Sequence, residues 1–432
     1  MILTLTPSLL RDNCVLWLRD ITQAYVQSNS SLQRKILASL PKQLEGQYPR
    51  DTVMEVIKPL YGLAEAGTHW WATYQSHHLK LLQMRTSTYD PCLLISRPEN
   101  EQFAVVGMQT DDTLGLSTPA FSRLEDEKLR LAGFAAKDKQ TLSVNEPLIF
   151  NGGILSLDKN GAVTLRQKGQ ASRLALVDPA APAPTRKQQY VEQRARGAYL
   201  ASICQPEACF DLSVAAQYQD PSPNDVTALN KRIQWQIDHQ QRGITYVPID
   251  LSTARLFVFV DGSFANNADL TSQLGFAILL GNEGAIVDNT FQLRGNLIHF
   301  SSTKSKRVTR SVLASEVYGM VAGVDMAYAL STTLRRITRH LRLPPTQTVV
   351  CTDSYSLYEC LVKLGTTKEK RLMIDIMALR ESYERKELHE VRWINGADNL
   401  ADAFTKGSPN AALRSFIDTN SSTIRVEGWV AR

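Results

Sequence analysis

Four acids in the carboxyl-terminal half of the chain, Asp261, Glu316, Asp353 and Asp402, stand where the ligands of a metal used in phosphodiester chemistry would stand. Asp261 follows the apolar run Leu256-Phe257-Val258-Phe259-Val260 and Asp353 follows Val349-Val350-Cys351-Thr352, so two strands each carry an acid at the carboxyl edge of a sheet. Glu316 falls in a helical stretch from Ser311 to Leu330, with Leu313, Met320 and Ala327 on its own face. An acid among apolar neighbours is tolerated only where a partner cancels its charge. With no Arg or Lys matched to them in the same motifs, the four acids imply a bound cation. Taken singly, each also reads as an ordinary strand-end or helix-surface carboxylate, and Asp398 could face the same way as Asp402 on a helix. A second acidic set lies upstream. Asp111 and Asp112 follow the apolar strand Phe103-Ala104-Val105-Val106-Gly107, as at the tip of a hairpin, and Asp20 ends the strand-like Val15-Leu16-Trp17-Leu18-Arg19.

These acids need a frame. Strands over 255–260, 274–280, 285–291 and 297–301 are expected before the Glu316 helix, and a further helix before the Asp353 strand, which makes a mixed sheet flanked by helices. Upstream, the cluster Asp178-Pro179-Ala180-Ala181-Pro182-Ala183-Pro184 signals a boundary, and helical patterns run over 190–216 and 224–241. A chain of 432 residues holds two to four domains, and its 43% hydrophobic content is enough for ordinary cores. The formal charge of +5 is mild, so a polyanion must be met by local patches. The six cysteines are scattered, which points to a reducing compartment. No run approaches the roughly 18 apolar residues of a membrane span, and Met1-Ile2-Leu3-Thr4-Leu5-Thr6-Pro7 has no secretory pattern.

The motifs Asp261-Gly262-Ser263, Ser315-Glu316-Val317-Tyr318, Cys351-Thr352-Asp353-Ser354 and Asn399-Leu400-Ala401-Asp402-Ala403-Phe404-Thr405-Lys406 resemble, in order, the ribonuclease H domain of copia-type retrotransposon polyproteins. Leu18-Arg19-Asp20-Ile21-Thr22-Gln23-Ala24-Tyr25-Val26, Lys58-Pro59-Leu60-Tyr61-Gly62-Leu63 and Met108-Gln109-Thr110-Asp111-Asp112 are similar to the reverse transcriptase of the same family. The resemblance implies an α+β chain: a partial polymerase palm over 1–178, a helical thumb or connection over 179–250, and a ribonuclease H-like mixed α/β domain over 251–432. It implies that Asp261, Glu316, Asp353 and Asp402 hold two Mg2+ ions, or Mn2+, that bracket the scissile phosphate of the RNA strand in an RNA/DNA hybrid. It likewise makes Asp20 and Asp111 ligands of two polymerase metals, with Asp112 in support. Tyr25 matches the position under the incoming sugar, and Gln109 stands near the primer end where Tyr is usual. Primer-template nucleic acid, deoxynucleoside triphosphates and other products of such a polyprotein are the implied partners. Cytoplasmic virus-like particles and the nucleus are the implied locations, with no membrane association.

Because the chain starts close to the first catalytic motif, the upstream fingers contacts to the triphosphate are expected to be missing and primer extension to be weak or absent. Lys304, Lys306, Arg307 and Arg310 lead into the Glu316 helix and could track a hybrid backbone; Arg335, Arg336, Arg339 and Arg342 recur at helical spacing. Two other readings compete: a catalytically dead relic that only binds nucleic acid, and an integrase. The second is disfavoured by the lack of a His-Cys zinc module and by the closing Asp402 block.

Overall fold

A computed structural model describes residues 1–431 except 364–366 and 368. The chain combines helices and sheets and divides into two compact units. One is Asn13–Leu142 with Ile2; the other is Leu3–Asp12 and Ser143 onward with Met1. The expected limits at 178 and 250 do not coincide with this division. The first helix, α1 (Ile2–Arg11), lies mainly in the larger unit: Ser8 Oγ donates to the Ile249 carbonyl at 2.8 Å, and Asn296 Nδ2 donates to the Thr4 carbonyl at 3.1 Å.

The smaller unit contains β1 (Val15–Asp20), a hairpin of β2 (Leu37–Ser39) and β3 (Val53–Glu55), then β4 (Met84–Thr86), β5 (Leu93–Ser96), β6 (Ala104–Gln109), β7 (Asp112–Ser117) and β8 (Gln140–Thr141). Its antiparallel sheet runs in the order β4-β5-β6-β7-β1-β8. Helices α2 (Ala66–Lys80) and α3 (Pro119–Leu131) supply Trp70, Tyr74 and Phe121 to a core with Trp17, Leu94 and Val106. Gly115 makes room for the Trp17 indole, since a Cβ there would lie 2.1 Å from the ring. The central β1–β7 pairing sets Asp20 opposite Asp112.

In the larger unit, β9 (Leu148–Phe150), β10 (Gly153–Leu157), β11 (Val163–Gln167) and β12 (Gly243–Tyr246) form an antiparallel sheet. Helices α4 (Ala183–Cys204), α5 (Cys209–Ala215) and α6 (Pro223–Asp238) enclose an apolar core that includes Tyr190, Leu200, Leu212 and Ile233. The proline cluster starts α4 rather than separating two units. Pro184 falls in the first turn, where its missing N–H has no partner to lose. The segment before it is tied down, because Val177 N–H donates to Asn230 Oδ1 and Asn230 Nδ2 returns a bond to the Val177 carbonyl, both at 2.8 Å.

Beyond this comes a closed barrel of β13 (Arg255–Ser263), β14 (Gln273–Glu283), β15 (Thr290–Lys304), β16 (Thr348–Thr352), β17 (Glu390–Ile394) and β18 (Ser421–Ala431), in the order β13-β14-β15-β18-β17-β16. Strand β18 closes it by pairing its first half with β15 and its second half with β17. Two expectations change here. The strands expected over 285–291 and 297–301 are one strand beginning at Thr290, after a turn in which Asp288 and Asn289 take positive φ. The helix expected to end at Leu330 continues as α7 (Val312–His340), with no separate helix before β16. Ser331 and Thr333 do not break it, since their hydroxyls donate back to the carbonyls of Tyr328 (3.2 Å) and Ala329 (3.1 Å). Helices α8 (Tyr355–Val362), α9 (Leu372–Glu384) and α10 (Ala412–Thr419) complete the unit.

Candidate active site

Strands β13 and β16 run parallel with Val260 opposite Thr352, so Asp261 and Asp353 emerge side by side at the same edge. Helix α7 must then bring Glu316 against them, and two glycines allow it. A Cβ on Gly262 would sit 2.2 Å from the Ser315 carbonyl oxygen, and one on Gly319 would sit 2.5 Å from the Asp261 carbonyl oxygen. Ser311 caps the helix by accepting from Ala314 N–H at 3.2 Å, and Ser315 Oγ donates to the Gly262 carbonyl at 3.0 Å. The outcome is a set of carboxylate oxygens from Asp261, Glu316 and Asp353 within 4.8 Å of one another, the sole such set of three or more potential metal ligands among the described residues.

Asp261 and Glu316 are buried. Burial first, then the charges of Asp261 and Asp353, pushes the Glu316 carboxyl well above its usual range; burial and Asp261 raise Asp353 to about 6. Glu316 Oε2 is buried with no hydrogen-bond partner. The other acids are held in place: Asn399 Nδ2 donates to Asp353 Oδ1 at 3.1 Å, and the Thr405 hydroxyl donates to Asp261 Oδ2. Three crowded carboxylates, one with a buried oxygen that has no hydrogen-bond partner, fit a hard divalent cation, which takes oxygen ligands and relieves their mutual repulsion.

Asp402 stands outside this tight set. Its Oδ2 accepts the Asn410 N–H at 2.7 Å, and its Oδ1 is held by the Lys406 ammonium, which also lies 3.6 Å from Asp261 Oδ2. The expectation that the acidic motifs contain no matching cation is therefore corrected. Lys406, four residues after Asp402, is that cation, and its spacing was the available signal. Asp398 is turned away, with Oδ2 accepting from Arg425 Nε at 2.8 Å.

In the smaller unit, Asp20 and Asp112 are register partners, and the Ile21 N–H donates to the Asp111 carbonyl at 3.0 Å. Asp20, Asp111 and Asp112 are only partly buried and do not form a tight ligand set. Lys137 Nζ lies 2.5 Å from Asp20 Oδ2, a partner that sequence patterning did not signal. The Tyr25 ring stacks on Tyr61 with centroids 4.4 Å apart, and Tyr25 and the exposed Gln109 border a cavity of about 270 Å³ with Trp70, Trp71 and Met108.

Of the basic residues, Lys304 is paired with Asp269, and Arg307 contacts Asp375 Oδ2 at 3.1 Å while lying 5.1 Å over the Tyr318 ring. Lys306 and Arg310 are exposed. Arg307 and Arg310 border a cavity of about 880 Å³ with Lys370 and Arg371. Arg335 and Arg339 project from the far end of α7, roughly 28 Å or more from Glu316 at 1.5 Å per residue, where they suit the negative helix terminus.

No protein-family model matches the chain, and no curated protein matches it. Solved structures do. Ribonuclease H1 of the halophilic archaeon Halobacterium salinarum aligns at 15% identity over 37% of this chain and 98% of its own, with a TM-score of 0.25. The N-terminal ribonuclease H domain of a Mycobacterium tuberculosis protein aligns at 18% identity over 38% of this chain and 98% of its own, with a TM-score of 0.23. A foamy viral protease-reverse transcriptase in complex with double-stranded DNA aligns at 10% identity over 84% of this chain and 66% of its own, with a TM-score of 0.20. At scores this low, the functional reading rests on the residues of this chain. No helix among the described residues is long and apolar enough to cross a membrane.

Proposed function

We propose that this chain is a copia-type reverse transcriptase/ribonuclease H whose larger unit hydrolyses the RNA strand of RNA/DNA hybrids. The observation that carries the reading is the set of Asp261, Glu316 and Asp353, each offering a carboxylate oxygen within 4.8 Å of the others, with Glu316 Oε2 buried and without a hydrogen-bond partner. Asp261, Glu316 and Asp353 would hold Mg2+ or Mn2+, with Asp402 completing a site for two ions. When bound, such ions supply an activated water and stabilise the leaving oxygen. The chain's own residues do the positioning. Asn399 fixes the Asp353 carboxylate, Thr405 fixes Asp261, and the parallel β13–β16 pairing holds the two acid-bearing strand ends together. Lys304, Lys306, Arg307 and Arg310 would meet the phosphates of the hybrid, with Tyr318 backing Arg307.

Asp20, Asp111 and Asp112 are read as the polymerase acids, and Tyr25 and Gln109 as contacts to a deoxynucleoside triphosphate and primer-template. There the Lys137–Asp20 pair and the lack of a tight ligand set favour a second reading, a relic palm that binds nucleic acid without extending it. Cytoplasmic particles and the nucleus, beside other polyprotein products, are the proposed setting.

The test is cleavage of a labelled RNA/DNA hybrid by the purified chain. RNA-strand products are expected with Mg2+ or Mn2+, and none with chelator or with Asp353→Asn. Cleavage by Asp353→Asn at the parent rate overturns the reading.

A further inference from the structure

Resting on the nuclease reading above, we infer that Lys406 is a built-in competitor for the divalent cation: its ammonium neutralises the acidic cluster in the metal-free chain and must leave before metal can load.

Three observations converge on it. The Lys406 ammonium contacts Asp402 Oδ1 and lies 3.6 Å from Asp261 Oδ2, so it bridges the tight carboxylate set and the one acid that stands outside it. Both Asp402 oxygens are engaged while this pair persists, because its Oδ2 accepts the Asn410 N–H at 2.7 Å. Departure of the ammonium therefore does two things at once. It removes a positive charge from beside the cluster, and it frees Asp402 Oδ1 to act as a ligand. The side chain can make that move, being 44% exposed while Asp402 is only 8% exposed. Glu316 Oε2, by contrast, is buried without a hydrogen-bond partner, so the ammonium leaves one carboxylate oxygen of the cluster for a smaller, more highly charged ion. Thr405 and Asn399 hold Asp261 and Asp353 independently of Lys406, so the acids keep their places when it swings out.

The test measures metal affinity rather than turnover. Mn2+ binding is followed by electron paramagnetic resonance in the wild type, Lys406→Met and Lys406→Arg, counting only the binding that Asp353→Asn abolishes. Loading in the wild type must first break the attraction of Lys406 to Asp402 and Asp261, a charge pairing worth on the order of tenfold in affinity even in a water-like dielectric, so Lys406→Met should bind Mn2+ about that much more tightly and Lys406→Arg should stay near wild type. In parallel, wild-type protein is treated with an amine-reactive acylating reagent and Lys406 labelling is read by mass spectrometry. Labelling should rise severalfold on adding Mg2+ and should not rise in Asp353→Asn. This second readout holds even if Lys406→Met folds poorly. Equal Mn2+ affinity in wild type and Lys406→Met, or Lys406 labelling unmoved by a metal that does bind, overturns the competitor role while leaving the metal site standing. Absence of Asp353-dependent Mn2+ binding in all three proteins overturns the metal site and this inference with it.

Discussion

The two acidic sites solve the same electrostatic problem in opposite ways. In the larger unit, Asp261, Glu316 and Asp353 are packed against one another under α7. Burial there makes charge expensive, and Asn399, Thr405 and Lys406 carry part of the cost. In the smaller unit, Asp20, Asp111 and Asp112 sit half-exposed at strand ends, and Lys137 pairs with Asp20. Water already screens those acids, so nothing forces them together. A site built by close packing is preorganised before metal arrives. A site built on exposed strand ends must be gathered by its ligands.

The comparison breaks most readily at Asp353. Asp353→Asn should lower hybrid cleavage by at least about a hundredfold, as loss of a metal ligand does, whereas Asp111→Asn should leave it within about twofold. Steady-state cleavage assays on both variants decide this, and equal losses would mean that the two sites are not independent.

Packing offers the next test. Gly262→Ala places a Cβ 2.2 Å from the Ser315 carbonyl, with backbone on both sides, so α7 must shift. The expected destabilisation is about 3 kcal/mol by urea unfolding, with reduced metal binding. Gly46→Ala in the smaller unit meets nothing within 4 Å and should change stability by less than about 0.5 kcal/mol.

Acid should find the smaller unit through α2. Both ring nitrogens of His77 are buried without partners against Tyr74, His78 and Phe134, and burial followed by the His78 charge lowers its pKa to about 4. An unfolded histidine binds its proton near pH 6.5, so the unfolded state gains protons first. Stability is full above that pH and is lost as pH falls from about 6.5 towards 4, by roughly 2–3 kcal/mol. Urea melts at pH 7 and pH 5 measure the loss, and His77→Phe should reduce it; an unchanged pH slope in His77→Phe would assign the effect elsewhere.

The smallest effect is expected at Lys137. Its pair with Asp20 is 67% and 34% exposed, so Lys137→Met should barely move the urea midpoint at low salt and should not move it in high salt.

Much of the packed site was legible in the chain. Apolar runs ending in Asp261 and Asp353 are strands whose period and terminus are both local signals, and Glu316 sits on a helix with Met320 and Ala327 on its buried side. What escaped was set by long-range pairing. Strand β18 closes the barrel between β15 and β17, which no local pattern announces. The proline cluster at 178–184 reads as a separator in sequence but begins α4, because prolines in a first helical turn lose no hydrogen bond. The spacing of Lys406 from Asp402 was visible, but its reach to Asp261, on a strand distant in sequence, was not.

The packed acids of the larger unit are proposed as the metal site. Anomalous diffraction from a Mn2+-soaked crystal tests it most directly. Density bounded by Asp261, Glu316 and Asp353 is expected, with Lys406 withdrawn from Asp402. Mn2+ found only beside Asp20 and Asp111, with Lys406 still seated among the carboxyl-terminal acids, would contradict it.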